Sequence, residues 1–179
     1  MRAYALIPAR SGSKGLPDKN ILPVDGHPLL AYSVAFAQAI PVERILLSTD
    51  SERYAEIGRR YGAEVPGLRG SAASHDTAME EDILADLAAA LPARGIPLPD
   101  IWVWLKPTCP FRDPAAVAQA IALLAARPDL DAVRIVSEAD ARLHVVNAEG
   151  FLEPLLPGWD PARSKMRRSE FPRVYQPFN

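Results

Sequence analysis

Ala3-Tyr4-Ala5-Leu6-Ile7, followed by Pro8-Ala9-Arg10-Ser11-Gly12-Ser13-Lys14-Gly15-Leu16-Pro17-Asp18-Lys19-Asn20, decides the fold class of this chain. The first five residues are a short apolar run stopped by a proline, which suits a buried strand. Pro28 to Ile40 shows helical periodicity with proline at a permitted first turn. The order is strand, loop, helix. Working outward, Arg44 to Asp50 reads as a second buried strand, and Ser51 to Tyr61 as an amphipathic helix that Ser51 caps and Gly62 ends. Ala63 to Leu68 reads as a third strand and Asp76 to Leu91 as a helix with an acidic start. Ile101 to Leu105 is a central strand by its aromatic and β-branched character, Ala115 to Ala126 an alanine-rich helix, and Asp131 to Val136 a fifth strand. After Asp140 the pattern loosens into hairpin-like pieces, expected to form an arm. Alternating strands and helices predict an α/β fold with a mostly parallel sheet covered on both faces. Functional residues are then expected just after strands.

The chain has 179 residues, 49% of them hydrophobic, enough for one substantial core, and one domain is expected over 1–179. Twenty basic and 22 acidic residues leave a formal charge of −2, which gives no global electrostatic case for nucleic acid or an anionic membrane. Any anion must be held by local charge. The one cysteine, Cys109, forms no internal disulfide, and the apolar start is too short for a signal or transmembrane segment, so a cytoplasmic setting is expected.

The loop from Pro8 to Asn20 holds two glycines, two serines, one arginine and two lysines. Glycines admit backbone N–H groups to phosphate oxygens, hydroxyls add donors, and cations offset charge on a leaving pyrophosphate. The spacing of Gly12 and Gly15 fits neither a Walker A loop nor GxGxxG, which weighs against a P-loop kinase and a dinucleotide dehydrogenase. A flexible, merely solvated surface loop is the bland alternative.

The segment IPARSGSKGLPDKN resembles the IPARGGSKGxxxKN signature of the acylneuraminate (CMP-sialic acid) cytidylyltransferases. The resemblance continues through HPLLAYSVAFA, LLSTD at 46–50, AEIGRRYGAEVPGLR at 55–69, SHDTA at 74–78 and LKPTCPFR at 105–112. It implies a Rossmann-like three-layer nucleotidyltransferase fold, CTP and Mg²⁺ as requirements, an acidic nine-carbon sugar as acceptor, and a homodimer built through the arm at about 140–172. Members of the family usually run further, into an acidic DxD-like motif that holds the metal; those ligands are expected beyond Asn179, with none in this chain.

By the same resemblance, Arg10 and Lys19 match triphosphate-binding residues, Asn20 a nucleoside contact and Arg69 an arginine near the base. Lys14 and the backbone of Ser11, Gly12, Ser13 and Gly15 complete the cradle. Asp76-Thr77 reads as an N-cap, a base contact or both. Lys106 is a departure, since relatives have glutamine in LQPTSPLR. A point charge replaces a neutral donor and acceptor, and a changed sugar, a lysine serving the α-phosphate and a weakened enzyme all remain open. Cys109 reads as a packed residue rather than a nucleophile. Arg142 aligns with a family lysine in the arm, and Arg168 with the arginine of an RQxLP-like segment; these are the candidates for the sugar carboxylate, against the alternative of an exposed basic stretch. No histidine is assigned a role, and Asp50 is a functional carboxylate or a helix cap. The activity implied is CMP transfer from CTP to the anomeric hydroxyl of a nonulosonic acid, sialic acid or a relative such as legionaminate or pseudaminate. The alternatives are another NTP or a catalytically impaired nucleotide-binding relative.

Overall fold

A computed structural model describes residues 1–13, 15–75, 78–141, 143–155 and 173–177. In chain order its elements are β1 (Ala3–Pro8), a 3-10 turn (Lys19–Ile21), β2 (Pro23–Val24), β3 (His27–Pro28), α1 (Leu29–Gln38), β4 (Arg44–Ser48), α2 (Glu52–Tyr61), α3 (Glu80–Ala90), β5 (Ile101–Trp104), α4 (Pro114–Ala126), β6 (Val136–Ala139), β7 (His144–Val146), β8 (Leu152–Pro154) and β9 (Val174–Pro177). β1 is the middle of a three-stranded parallel sheet, flanked by β4 and β5. Its register sets Ile7 beside Leu47 and Leu6 beside Trp104.

Successive strand residues face opposite ways. Ala3, Ala5 and Ile7 therefore share one core with Leu30 and Val34 of α1, Tyr54 of α2 and Val117 of α4. Leu6 packs on the other face with Ile83 and Leu87 of α3. The result is helix, sheet, helix: the expected α/β arrangement with a parallel sheet between layers. Gly58 lets α2 come close to β4, because a Cβ built there would lie 2.3 Å from Leu47 Cδ2. Ser51 caps α2 by accepting from the Tyr54 N–H, and Gly62, at φ 102°, ends it.

Three expectations need correction. The strand expected over 63–68 is reduced to a bridge between Glu64 and Leu46. Glu64 exchanges two 2.8 Å backbone bonds with Ile45 and Leu47, and Pro66 then has no N–H with which to extend the ladder. The helix expected from Asp76 starts at Glu80, where the Asp82 carboxylate accepts from the Met79 N–H at 2.7 Å and fixes the first turn. The strand expected over 131–136 begins only at Val136, because its antiparallel partner is the distant β9, with Val136 opposite Pro177.

Contacts divide the chain into residues 1–133, the sheet and its helices, and residues 134–178. In the second unit β6 pairs with β9 and β7 with β8, both antiparallel. Asn147 Oδ1 closes the β7–β8 hairpin by accepting from the N–H groups of Glu149 and Phe151. Among the described residues no helix is long and apolar enough to cross a membrane.

Candidate functional site

Beyond the carboxyl ends of β1 and β5 lies a cavity of about 540 Å³ whose wall includes Arg10, Ser13, Lys19, Asn20, Arg69 and Lys106. These come from separate stretches of chain, and the parallel strands bring them together. Ser11, Gly12 and Gly15 do not line it. Lys14, Arg142, Arg168 and the Asp76-Thr77 pair lie outside the described residues.

The first loop is braced from below. Both carboxylate oxygens of Asp50 are engaged by Ser11, one by its N–H at 2.7 Å and the other by its hydroxyl at 2.8 Å. Asp50 thus neither caps α2 nor points a bare carboxylate at the cavity; it anchors the loop to the end of β4. Asn20, 8% exposed, closes the loop on itself by donating from Nδ2 to the Arg10 carbonyl at 3.1 Å. Between them Asp18 adopts φ 53°, and its carboxylate accepts from the Tyr54 hydroxyl at 2.9 Å and from Arg53 at 3.1 Å. Burial, then the bond to Asp18, pushes the Tyr54 phenol up to about 12. Gly12 takes φ 66°, in the left-handed region that glycine favours.

Arg69 is 7% exposed. Its Nε and Nη2 donate to the Ser48 hydroxyl and carbonyl at 2.9 and 2.6 Å, and Nη1 to the Ala73 carbonyl at 3.3 Å. Burial lowers its pKa, and the nearby Asp50 charge opposes that shift. A guanidinium so engaged shapes the wall and retains two N–H groups.

A second wall is built on the turn after β5, the strand paired with β1. Arg112 donates from Nη2 to the Lys106 carbonyl and stacks over Phe36 with its guanidinium carbon 5.6 Å from the ring centre. Cys109, buried, donates its N–H to the same carbonyl at 3.1 Å. Above this foot, Lys106 Nζ lies 2.9 Å from Glu80 Oε1, with the two side chains 40% and 55% exposed. Among the described residues the buried Trp104 indole N–H has no acceptor, and Trp104 lines the cavity.

Sequence reasoning missed Asp18, Tyr54, Ser48, Glu80 and Arg112 as builders of the site, and gave no place to His75, which also lines the cavity. A signal was available for Ser48, within the LLSTD match, for His75, within SHDTA, and for Arg112, the last residue of LKPTCPFR. Chemically, one cavity holds cations from a braced glycine-containing loop and a further polar wall, an arrangement suited to a polyanion carrying a polar second group.

The profile of a family described as Cytidylyltransferase matches residues 4–176. The chain is similar to the CMP-N,N'-diacetyllegionaminic acid synthase of Legionella pneumophila, 38% identical over 122 residues that make up 68% of this chain and 52% of that protein. The N-acylneuraminate cytidylyltransferase of Escherichia coli O18:K1:H7 is 37% identical over 123 residues, 68% of this chain and 28% of that protein. The chain thus spans about half the length of the first relative and less of the second. A solved structure of CMP:2-keto-3-deoxy-manno-octonic acid synthetase complexed with CTP superposes with a TM-score of 0.72, covering 99% of this chain and 71% of that one. At 20% identity this last likeness establishes the fold.

Proposed function

This chain belongs to the cytidylyltransferase family, and from that premise we propose that it transfers CMP from CTP to the anomeric hydroxyl of a nonulosonic acid, releasing pyrophosphate. The observation that carries the reading is the convergence of Arg10, Lys19, Asn20, Arg69 and Lys106 on one cavity at the carboxyl ends of β1 and β5. Arg10 and Lys19, with Ser13 and Lys14, hold the triphosphate; Asn20 and Arg69 flank the nucleoside; Lys106 faces the acceptor. Arg142 and Arg168 are proposed for the sugar carboxylate, and the arm at about 140–172 for contact with a second copy of the chain in a homodimer. The acceptor oxygen forms a bond to the α-phosphorus as the bond to the bridging oxygen breaks, the hydroxyl proton passes to solvent and pyrophosphate departs. Rate comes from positioning and from positive charge fixed near the developing anion, without a covalent enzyme intermediate.

Mg²⁺ is implied by the family resemblance. Among the described residues no group of three His, Cys, Asp or Glu side chains could hold a metal. Asp50 is occupied by Ser11 and Glu80 by Lys106, so these residues do not fit a metal cage and no step is routed through one. The test is pyrophosphate release with CTP, Mg²⁺ and a panel of sialic, legionaminic and pseudaminic acids. Release that requires both CTP and one acid is expected. Release with none of the pairs, or equally with every NTP, overturns the reading.

A further inference from the structure

Lys106 Nζ and Glu80 Oε1 lie 2.9 Å apart on the cavity wall. An ammonium and a carboxylate this close carry no net charge together. A few ångströms away their field is that of a dipole, which water and salt attenuate further. Hydrogen-bonding capacity survives the pairing: the ammonium keeps N–H groups beyond the one aimed at Glu80, and the carboxylate keeps a second oxygen. Donor and acceptor therefore stand side by side without net charge, which matches a hydroxyl or an amide and does not match an anion. The same cavity is lined by Arg10, Lys19 and Arg69, and Arg69 already gives three donors to Ser48 and Ala73. Arg10 and Lys19 thus supply positive charge for an anion in this cavity, whereas Glu80 cancels that of Lys106.

We propose that Lys106 and Glu80 act as one electroneutral unit that recognises a neutral polar group of the acceptor, a hydroxyl or amide, and that Glu80 determines specificity by keeping Lys106 from drawing an anion to this wall. The inference rests on the reading of the cavity as a nucleotide and acidic-sugar site. It resolves the role of Lys106: the side chain acts as half of a polar pair instead of as a lone charge.

The test is a double-mutant cycle of wild type, Lys106→Gln, Glu80→Gln and the double variant. It is read both as kcat/KM for pyrophosphate release with N-acetylneuraminate and as the Kd of CTP alone by calorimetry. Each single change leaves one unmatched charge in the cavity. A loss of about three- to ten-fold in kcat/KM is expected for each, with CTP bound more weakly by Lys106→Gln, where Glu80 stands uncompensated near the phosphates. The double variant, with the pair neutral again and still carrying donors and acceptors, is expected to lose less than either single variant. Glu80→Asp, which keeps the charge, should stay closer to wild type than Glu80→Gln. Both side chains are half-exposed, so thermal stability should change little. A double variant as impaired as Lys106→Gln, or losses that multiply, would show that the lysine charge itself is used and overturns the pairing. Wild type that binds no CTP sinks the cavity reading and this inference together. CTP binding without rescue sinks this inference alone.

Discussion

The two walls of the cavity are built to different standards. On the loop wall, Ser11, Asp18 and Asn20 are held by Asp50, Tyr54 and the Arg10 carbonyl through partly buried bonds of 2.7 to 3.1 Å. On the wall after β5 the backbone of Lys106 is fixed by Arg112, but its side chain rests on an ion pair that water reaches from both ends. Such exposed pairs contribute little and break easily. The difference teaches that one wall is set before any ligand arrives, as a polyphosphate site needs, whereas the other can rearrange around a variable group.

The largest effect is expected where the braced loop presents charge. Lys19→Ala should lower kcat/KM for pyrophosphate release by about 100-fold or more, as loss of one fixed transition-state donor does, with circular dichroism and melting temperature unchanged. Removing the brace comes next. Asp50→Ala leaves both Ser11 donors without their acceptor and should weaken CTP about ten-fold. It should also cost about 1.5 to 3 kcal/mol of stability, the scale for hydrogen bonds to a charged group, measured by denaturant unfolding. Should Asp50→Ala bind CTP as wild type does, the loop is not prearranged and the contrast fails.

Smaller effects test the other wall. Arg112→Met should loosen the turn beneath Lys106 and raise KM for the acceptor by about three-fold, while the Kd of CTP stays put. An equal change in both would mean that the walls are not independent. The smallest effect concerns Tyr54, whose phenol sits near 12 in the fold against 10.0 for the free group. Because the folded value is raised, the unfolded chain ionises first. The contribution is complete below about pH 10 and declines as pH rises through about 12. Unfolding free energy should fall across that window in wild type, and the fall should shrink in Tyr54→Phe, which itself should cost about 1 kcal/mol at neutral pH.

Most of the sheet was legible because β1, β4 and β5 are continuous apolar runs, as strands covered on both faces must be. Ser51 and Gly62 gave the ends of α2 through capping chemistry that acts within a few residues. What was not legible depends on distant partners. Val136 begins a strand because Pro177 lies beside it, whereas the stop after Glu64 comes from Pro66 two residues on, a local signal that was open to reading. In the site, Arg10, Lys19 and Asn20 were visible from composition and from the resemblance. The bonds of Ser11 to Asp50 and of Asp18 to Tyr54 span 39 and 36 residues, and no local pattern announces them. Glu80 reads as one more acidic residue at a helix start until the fold sets it against Lys106.

The central claim, that the loop of residues 8–20 holds the phosphates of CTP, is tested most directly by calorimetric titration of wild type and Lys19→Ala with CTP, CDP and CMP. Affinity is expected to fall stepwise in wild type as phosphates are removed, and the gap between CTP and CMP should largely close in Lys19→Ala. Equal affinity of wild type for CTP and CMP would contradict the claim.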